Sequence, residues 1–414
     1  MKNAVIVEAC RTAVGNMGGA LKPMSALDLA VTVIRGCIDR SGIDPKEIDE
    51  VILGQCRQTS DEPNIARVAA LKAGIPDAAS AHTVMRQCAS GMTAVHNGAM
   101  QIMCGLSDVV LAGGTESMSN AVFYVRNARW GVGTGTTQFV DALTEGQFKS
   151  QPEDMYGSYN MGATAENVAE QLHITREEQD EFSFASQQKA IAAIDSGRFK
   201  DEIVPVTVPQ GRKLPPLIFD TDEFPRRDTS LEKMAKLKPV FNIKHDDQGR
   251  LFNDSALTGT VTAASSSGRN DGASAVLLMS EEKAKELGLK PIAKIIGMGT
   301  AGADPRTMGL GPVGAVPKAL ANAGLKDDDI QLVELNEAFA AQALGCIRML
   351  GWENMMDKIN PNGSGISLGH PIGCTGARLL VTLMYELRRR GGKYGLATLC
   401  IGGGMGQATV IEML

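Results

Sequence analysis

The sequence predicts a layered α/β fold built from two similar halves. Short β-branched or aliphatic runs bounded by Gly and Asp alternate with segments of helical period, the pattern of buried strands covered by helices. The stretch Gly42-Ile-Asp-Pro-Lys-Glu-Ile-Asp-Glu-Val-Ile-Leu-Gly54 recurs as Gly324-Leu-Lys-Asp-Asp-Asp-Ile-Gln-Leu-Val-Glu-Leu335. Cys88-Ala-Ser-Gly91, followed by a helix pattern and a strand reaching Gly113-Gly114, has its counterpart in Gly373-Cys-Thr-Gly376, a helix pattern and a strand reaching Gly402-Gly403. Both pairs stand at an offset of roughly 285 residues, which argues for internal duplication of a large α/β unit.

In chain order, strands are expected near 4 to 8, 50 to 54, 82 to 86 and 108 to 113, with helices near 25 to 39, 62 to 73 and 89 to 105. Residues 120 to 255 break the rhythm with the run Trp130-Gly-Val-Gly-Thr-Gly-Thr-Thr137, scattered prolines and the charged stretch 220 to 238. They read as an inserted, loop-rich subdomain with helices near 161 to 172 and 176 to 196, the second opened by a capping box of Thr175 and Glu178. The second half is expected to have strands near 292 to 298, 330 to 335, 395 to 401 and 407 to 412, with helices near 313 to 323, 337 to 350 and 373 to 390. The domain division that follows is 1–119 with 256–280, then 120–255, then 281–414. In a duplicated α/β unit the loops at corresponding strand ends face one crevice, so Cys88 and the glycine-rich C-terminal loops are expected to meet.

Composition narrows the function. With 21% charged residues and a net charge of −6, the chain has no basic field to recruit nucleic acid. Its eight cysteines form no C-x-x-C pair, so neither a disulfide framework nor a zinc site is expected, and they read as reduced and cytoplasmic. The first residues carry a lone Lys and an apolar run too short for a signal peptide, and no stretch reaches the roughly 18 apolar residues of a membrane span. Small molecules and copies of itself are the expected partners.

Four segments carry chemistry. In Val84-Met-Arg-Gln-Cys88-Ala-Ser-Gly91, Cys88 falls where a strand meets a helix; the free N–H groups of the first helical turn would favour its thiolate, making it a nucleophile. A buried core cysteine fits the same segment. In Glu334-Leu-Asn336-Glu337-Ala338-Phe339, Asn336 is either a helix N-cap or a holder of water or a carbonyl. In Gly369-His370-Pro371-Ile-Gly373, the flanking glycines let backbone, imidazole and ligand lie close, a setting that His82, His96, His173 and His245 lack. In Cys400-Ile-Gly402-Gly403-Gly404-Met405-Gly406, the glycines follow a strand but lack the spacing and helix of a dinucleotide site.

Together these motifs resemble the thiolase family over essentially the whole chain and in the family's order. Ala112-Gly-Gly-Thr-Glu-Ser-Met-Ser119, Met161-Gly-Ala-Thr-Ala-Glu-Asn167 and Ser267-Gly-Arg-Asn-Asp-Gly272 are similar to the family's as well. The resemblance implies a duplicated thiolase fold and an acyltransferase that condenses two acetyl-CoA into acetoacetyl-CoA and CoA, or cleaves it. Cys88 would be acylated, His370 would take its proton, Cys400 would act on the α-proton, and Asn336 would hold a water beside the enolate. The N–H groups of Cys88 and Gly402 would hold the tetrahedral oxyanion. For CoA it points to Arg226, Leu237, Phe241, Ala263, Ser267 and Phe339, with Met161, Met308 and Ala338 walling the acyl end. CoA enters as substrate, no cofactor or metal is implied, and a homotetramer is expected.

This chain departs from the pattern in three places: Asn160 stands where short-chain members often have His, Ala264-Ser265-Ser266 replaces Gly-Asn-Ala, and about fourteen residues are inserted between Phe241 and Thr260. The Cys-Ile-Gly-Gly-Gly-Met-Gly loop resembles the short-chain branch. The alternatives are a 3-ketoacyl-CoA thiolase for longer or functionalised chains and a non-catalytic acyl-CoA-binding subunit.

Overall fold

The computed structural model describes residues 2–211, 213–254 and 258–414. The expected boundary between 255 and 256 lies outside the described residues. In chain order the first half supplies β1 (Ala4–Arg11), α1 (Ala26–Ser41), β2 (Glu50–Gly54), α2 (Ile65–Ala73), β3 (Ser80–Val84), α3 (Ser90–Cys104) and β4 (Val109–Ser117). The excursion that follows carries α4 (Met161–Leu172), α5 (Arg176–Asp195) and a small hairpin, β5 (Ile243–His245) with β6 (Leu251–Asn253). The chain returns through β7 (Asn270–Ser280) to β8 (Ala293–Gly302), α6 (Gly311–Ala323), β9 (Leu332–Leu335), α7 (Ala340–Leu350), α8 (Ile372–Arg390), β10 (Tyr394–Ile401) and β11 (Met405–Met413).

The long strands form one sheet in the order β9-β10-β11-β8-β1-β7-β4-β2-β3, and its two parts repeat each other. In the first, β2 runs parallel to β4, β4 antiparallel to β7 and β7 antiparallel to β1. In the second, β9 runs parallel to β10, β10 antiparallel to β11 and β11 antiparallel to β8. The bulge between Ile6 and Glu8 of β1 has its copy between Ile295 and Gly297 of β8. A lone parallel bridge from Val333 to Ile359 stands where β3 flanks β2 in the first half. The duplication read from the sequence is thus present in strand order, pairing sense and irregularities.

Layering follows from side-chain alternation along buried strands. In β7, Ala275, Leu277 and Met279 join the core under α1 and α2, while Val276 and Leu278 face a second core built on α3 and α8. A third core packs α6 and α7 against β9, β10 and β11. The central α8 is buried at every residue from Gly373 to Leu387, as a helix enclosed on all sides must be. The fully buried β7 was not anticipated: Asn270-Asp-Gly-Ala-Ser-Ala-Val-Leu-Leu-Met-Ser280 alternates too little to mark a strand by period.

Most expected helices stand with shifted ends. Ser25 and Asp28 cap α1 reciprocally, and Thr175 and Glu178 do so for α5, the box expected there. The helix expected from 337 begins only at Ala340, because the preceding residues are extended and Phe339 bridges to Ser266. Asn336 is therefore not a helix N-cap. Among the described residues no helix is long and apolar enough to cross a membrane.

Candidate active site

The elbow carrying Cys88 lies between β3 and α3 and is held by its own backbone. Ser90 Oγ accepts from the Arg86 N–H at 2.9 Å and donates to the Gln87 carbonyl at 2.6 Å, while Gln87 adopts φ 44°, a left-handed conformation costly for a residue with a side chain. Strain immediately before a reactive residue is the usual signature of a functional turn.

Close backbone contact brings the second half to this elbow. A Cβ on Gly114 would overlap the Gly373 carbonyl, and one on Gly91 would stand 2.8 Å from it, so only glycine lets α3 and α8 start side by side. The buried Glu116 carboxylate sits at the same junction, accepting from the N–H groups of Cys56 (3.0 Å), Arg57 (3.1 Å) and Gly373 (2.9 Å). Burial pushes it up to about 7 against those hydrogen bonds.

His370 follows from this placement of α8. Its backbone N–H donates to Asn270 Oδ1 at 3.0 Å, and Nδ1 lies 2.6 Å from Thr375 Oγ1. The Thr375 hydroxyl also reaches the Pro371 carbonyl at 3.0 Å. Donating there, it accepts Nδ1–H and leaves Nε2 as a lone-pair base; rotated toward Nδ1, it favours the Nε2–H form instead. Nε2 is buried without a hydrogen-bond partner among the described residues. Burial, with Arg378 adding, lowers His370 to about 3, so the imidazole is neutral.

Cys400 pairs with Gly406 one residue before β10 ends, and the turn beyond needs Gly403 and Gly404 at φ 86° and 85°. Its thiol is fully buried and pushed well up, first by desolvation and then by Cys88 and Cys346. The N–H groups of Gly402 and of Cys88 itself point at the Cys88 sulfur. These contacts and the Arg57 guanidinium favour the thiolate, yet burial outweighs them and raises the thiol above its ordinary value near 9.0. The expected net lowering by the helix N-terminus is corrected accordingly: desolvation wins.

Asn336 is fully buried, and among the described residues neither its side-chain oxygen nor its nitrogen has a partner. A buried amide left open in this way is a place for a water or a substrate oxygen. Behind it, Ser267 N–H donates to the Ala338 carbonyl and Ala340 N–H to the Ser265 carbonyl, both at 2.9 Å, so the 262–268 and 336–340 segments move as one.

These segments enclose a cavity of about 240 Å³ lined by Cys88, His370, Cys400 and Gly402, with Met161, Met308, Phe241, Phe339, Ala338 and Ser267 as its apolar and polar walls. Phe241 lies on Gly162 and meets Phe339 edge to face at 6.2 Å. Arg226, Leu237, Ala263 and Asn336 do not line this cavity. Arg226 borders a separate, more open depression that shares Arg269 with it, while Leu237 and Ala263 are exposed. Sequence reasoning missed Arg57, Gln87 and the stretch Leu143 to Ser150, which also line it. For Arg57 a signal existed, since it follows the end of β2, where an α/β crevice forms.

Comparison with known proteins agrees with this construction. Residues 4–282 match the thiolase N-terminal domain model and residues 289–413 the thiolase C-terminal domain model. The chain belongs to the thiolase family. The acetyl-CoA acetyltransferase of Syntrophomonas wolfei is 48% identical to this thiolase over 415 residues, covering 100% of both chains, and that of Cupriavidus necator is 48% identical over 413 residues, again covering 100% of both. The crystal structure of the Bacillus anthracis acetyl-CoA acetyltransferase superposes with a TM-score of 0.93 at 47% identity, covering 100% of this thiolase and 99% of that chain. Human mitochondrial 3-ketoacyl-CoA thiolase gives 0.91 at 39% identity with the same coverage.

Proposed function

We propose that this thiolase is an acetyl-CoA C-acetyltransferase, interconverting acetoacetyl-CoA plus CoA with two acetyl-CoA through an acetyl group on Cys88. The supporting observation is the convergence of Cys88, Cys400 and the open His370 Nε2 on one cavity. In condensation, Cys88 Sγ attacks the carbonyl of acetyl-CoA while His370 takes the thiol proton and passes it to the departing CoA sulfur. Cys400, as its thiolate, then removes an α-proton from a second acetyl-CoA, the enolate carbon attacks the acetyl-Cys88 carbonyl to form acetoacetyl-CoA, and the Cys88 thiolate expelled takes that proton from Cys400. A water on Asn336 and His370 hold the enolate oxygen; the N–H groups of Cys88 and Gly402 hold the tetrahedral oxyanion. In cleavage Cys400 must instead give a proton to the departing enolate, and burial favours that protonated thiol.

CoA itself is the second substrate, with its pantetheine arm between Ser267, Phe241 and Phe339 and its nucleotide toward Arg226, Leu237 and Ala263. No cofactor or metal takes part. The functional division is 1–119 with 256–280 for the nucleophile, 120–255 for CoA and assembly, and 281–414 for Asn336, His370 and Cys400. A cytoplasmic place in fatty acid metabolism goes with this chemistry. Thiolysis assayed along a ladder of 3-ketoacyl-CoA chain lengths tests the reading: the optimum is expected at the four-carbon substrate, and an optimum at longer chains would replace it with the 3-ketoacyl-CoA alternative.

The assembly proposed is a homotetramer. Phe123, Trp130 and Phe139 are 63%, 88% and 74% exposed, a concentration of large apolar surface that a monomer does not sustain in water. Because Leu143 to Ser150 also wall the cavity, the informative change is Phe123→Ser with Trp130→Ser and Phe139→Ser, not removal of the segment. Sedimentation is expected to give a smaller particle, and an unchanged one would remove this surface from the assembly.

A further inference from the structure

The residues inserted after Phe241 fold in part as the β5–β6 hairpin, and this hairpin bonds to residues beside both acyl-wall methionines. Its turn is closed by Asp246, whose carboxylate accepts from the Gln248 N–H at 3.0 Å, the Arg250 N–H at 2.9 Å and the Arg250 guanidinium at 2.7 Å. On one side Asn253 Oδ1 accepts from the Asn160 N–H at 3.0 Å, and Leu251 is buried against Tyr159 and Ala163. Asn160 is the N-cap of α4, accepting from the Ala163 N–H at 3.0 Å, and Met161 is the first residue of that helix.

On the other side the Gly249 carbonyl accepts from Arg306 Nη1 at 2.6 Å, and Arg306 lies in the short turn Pro305–Leu310 that carries Met308. The Arg306 carbonyl in turn accepts from Asn167 Nδ2 of α4 at 2.9 Å. Hairpin, helix start and turn therefore close a ring around Asn160, Met161 and Met308, all three of which line the cavity. Met161 Sδ comes within 3.4 Å of where a Cβ would stand on Gly402, beside the nucleophile.

A methionine wall is soft, because three rotatable bonds let it yield to a longer chain at little cost. It discriminates by length only if the backbone behind it cannot retreat. We propose that the β5–β6 hairpin is a specificity-determining brace, with Asn253 and Arg306 as its positioning residues, that holds Met161 and Met308 inward and restricts this thiolase to short, unbranched 3-ketoacyl-CoA. The inference rests on the reaction proposed above.

Asn253→Ala and Arg306→Ala are each expected to keep acetoacetyl-CoA cleavage near the native rate. Their kcat/KM for 3-ketohexanoyl-CoA relative to acetoacetyl-CoA should rise about tenfold, the lower end of what pocket contacts with added methylenes decide. Asn253→Asp, which retains the acceptor, should behave as native. Hydrogen exchange gives a reading independent of turnover: the Asn160 amide should exchange faster in Asn253→Ala. An unchanged chain-length ratio in both alanine variants, or unchanged exchange at Asn160, would overturn the brace. Native protein inactive on acetoacetyl-CoA would instead overturn the proposed reaction, leaving the exchange result to decide whether the hairpin holds the wall.

Discussion

Cys400→Ala is expected to accept an acetyl group from acetyl-CoA and go no further, whereas Cys88→Ala accepts none. The first step needs only the Cys88 sulfur, a base and the two N–H groups that face that sulfur, and all of these survive the loss of Cys400. Peptide mapping of the Cys400 variant should place the acetyl group on the Cys88 peptide, and finding it on Cys400 in native protein would reverse the roles. Condensation should fall by roughly 10² to 10⁴, the loss that follows removal of a general base, or more. Exchange of acetyl-CoA α-protons in heavy water isolates the step: it should vanish in Cys400→Ala. Exchange persisting at the native rate would make another group the base, with the partnerless His370 Nε2 next in line.

His370→Ala should lose acetylation of Cys88 by roughly 10² to 10⁴, because no preformed thiolate is available to replace the base. Burial holds Cys88 above its ordinary value near 9.0 and His370 down at about 3, so between those limits the resting pair is thiol and neutral imidazole. A raised thiol is protonated at neutral pH and ionises only as pH rises through its elevated value. In His370→Ala the acetylation rate should therefore climb about tenfold per pH unit below that value, following the thiolate fraction. The native rate should stay level from pH 6 to 8, where the imidazole receives the proton during attack. A variant with native rate at neutral pH would mean that Cys88 is already ionised there and that the N–H groups of Gly402 and Cys88 outweigh burial.

Where the sequence was legible, it was so because a local requirement left a local trace. The strain at Gln87 and the overlap at Gly114 and Gly373 need small residues, and these stand in the chain as Cys88-Ala-Ser-Gly91 and Gly369-His370-Pro371-Ile-Gly373. The capping box at Thr175 and Glu178 was readable because both partners lie within one turn. Asn336 was ambiguous, since an Asn before a helical pattern caps helices as readily as it binds water; the bridge from Phe339 to Ser266, which holds the chain extended up to Ala340, excluded the cap. Leu143 to Ser150 left no trace because they line the cavity through the fold of their neighbours and share no motif of their own, whereas Arg57, just past the end of β2, and Gln87, beside Cys88, carried only the signal of their position.

By itself the sequence determined the duplication, most of the strands and helices though not β7, and four candidate site positions, because each is written in spacing or in residue type within a few turns of chain. Only the tertiary structure decided how those positions act. The protonation states of Cys88, His370 and Cys400 follow from burial contributed by both halves, and the carboxylate of Glu116 is raised for the same reason. The two N–H groups aimed at one sulfur come from Cys88, before α3, and Gly402, in the turn between β10 and β11, residues more than three hundred apart in the chain and brought together only by the packing of both halves. Desolvation and close approach are sums over everything that surrounds an atom, and a linear chain does not state its surroundings.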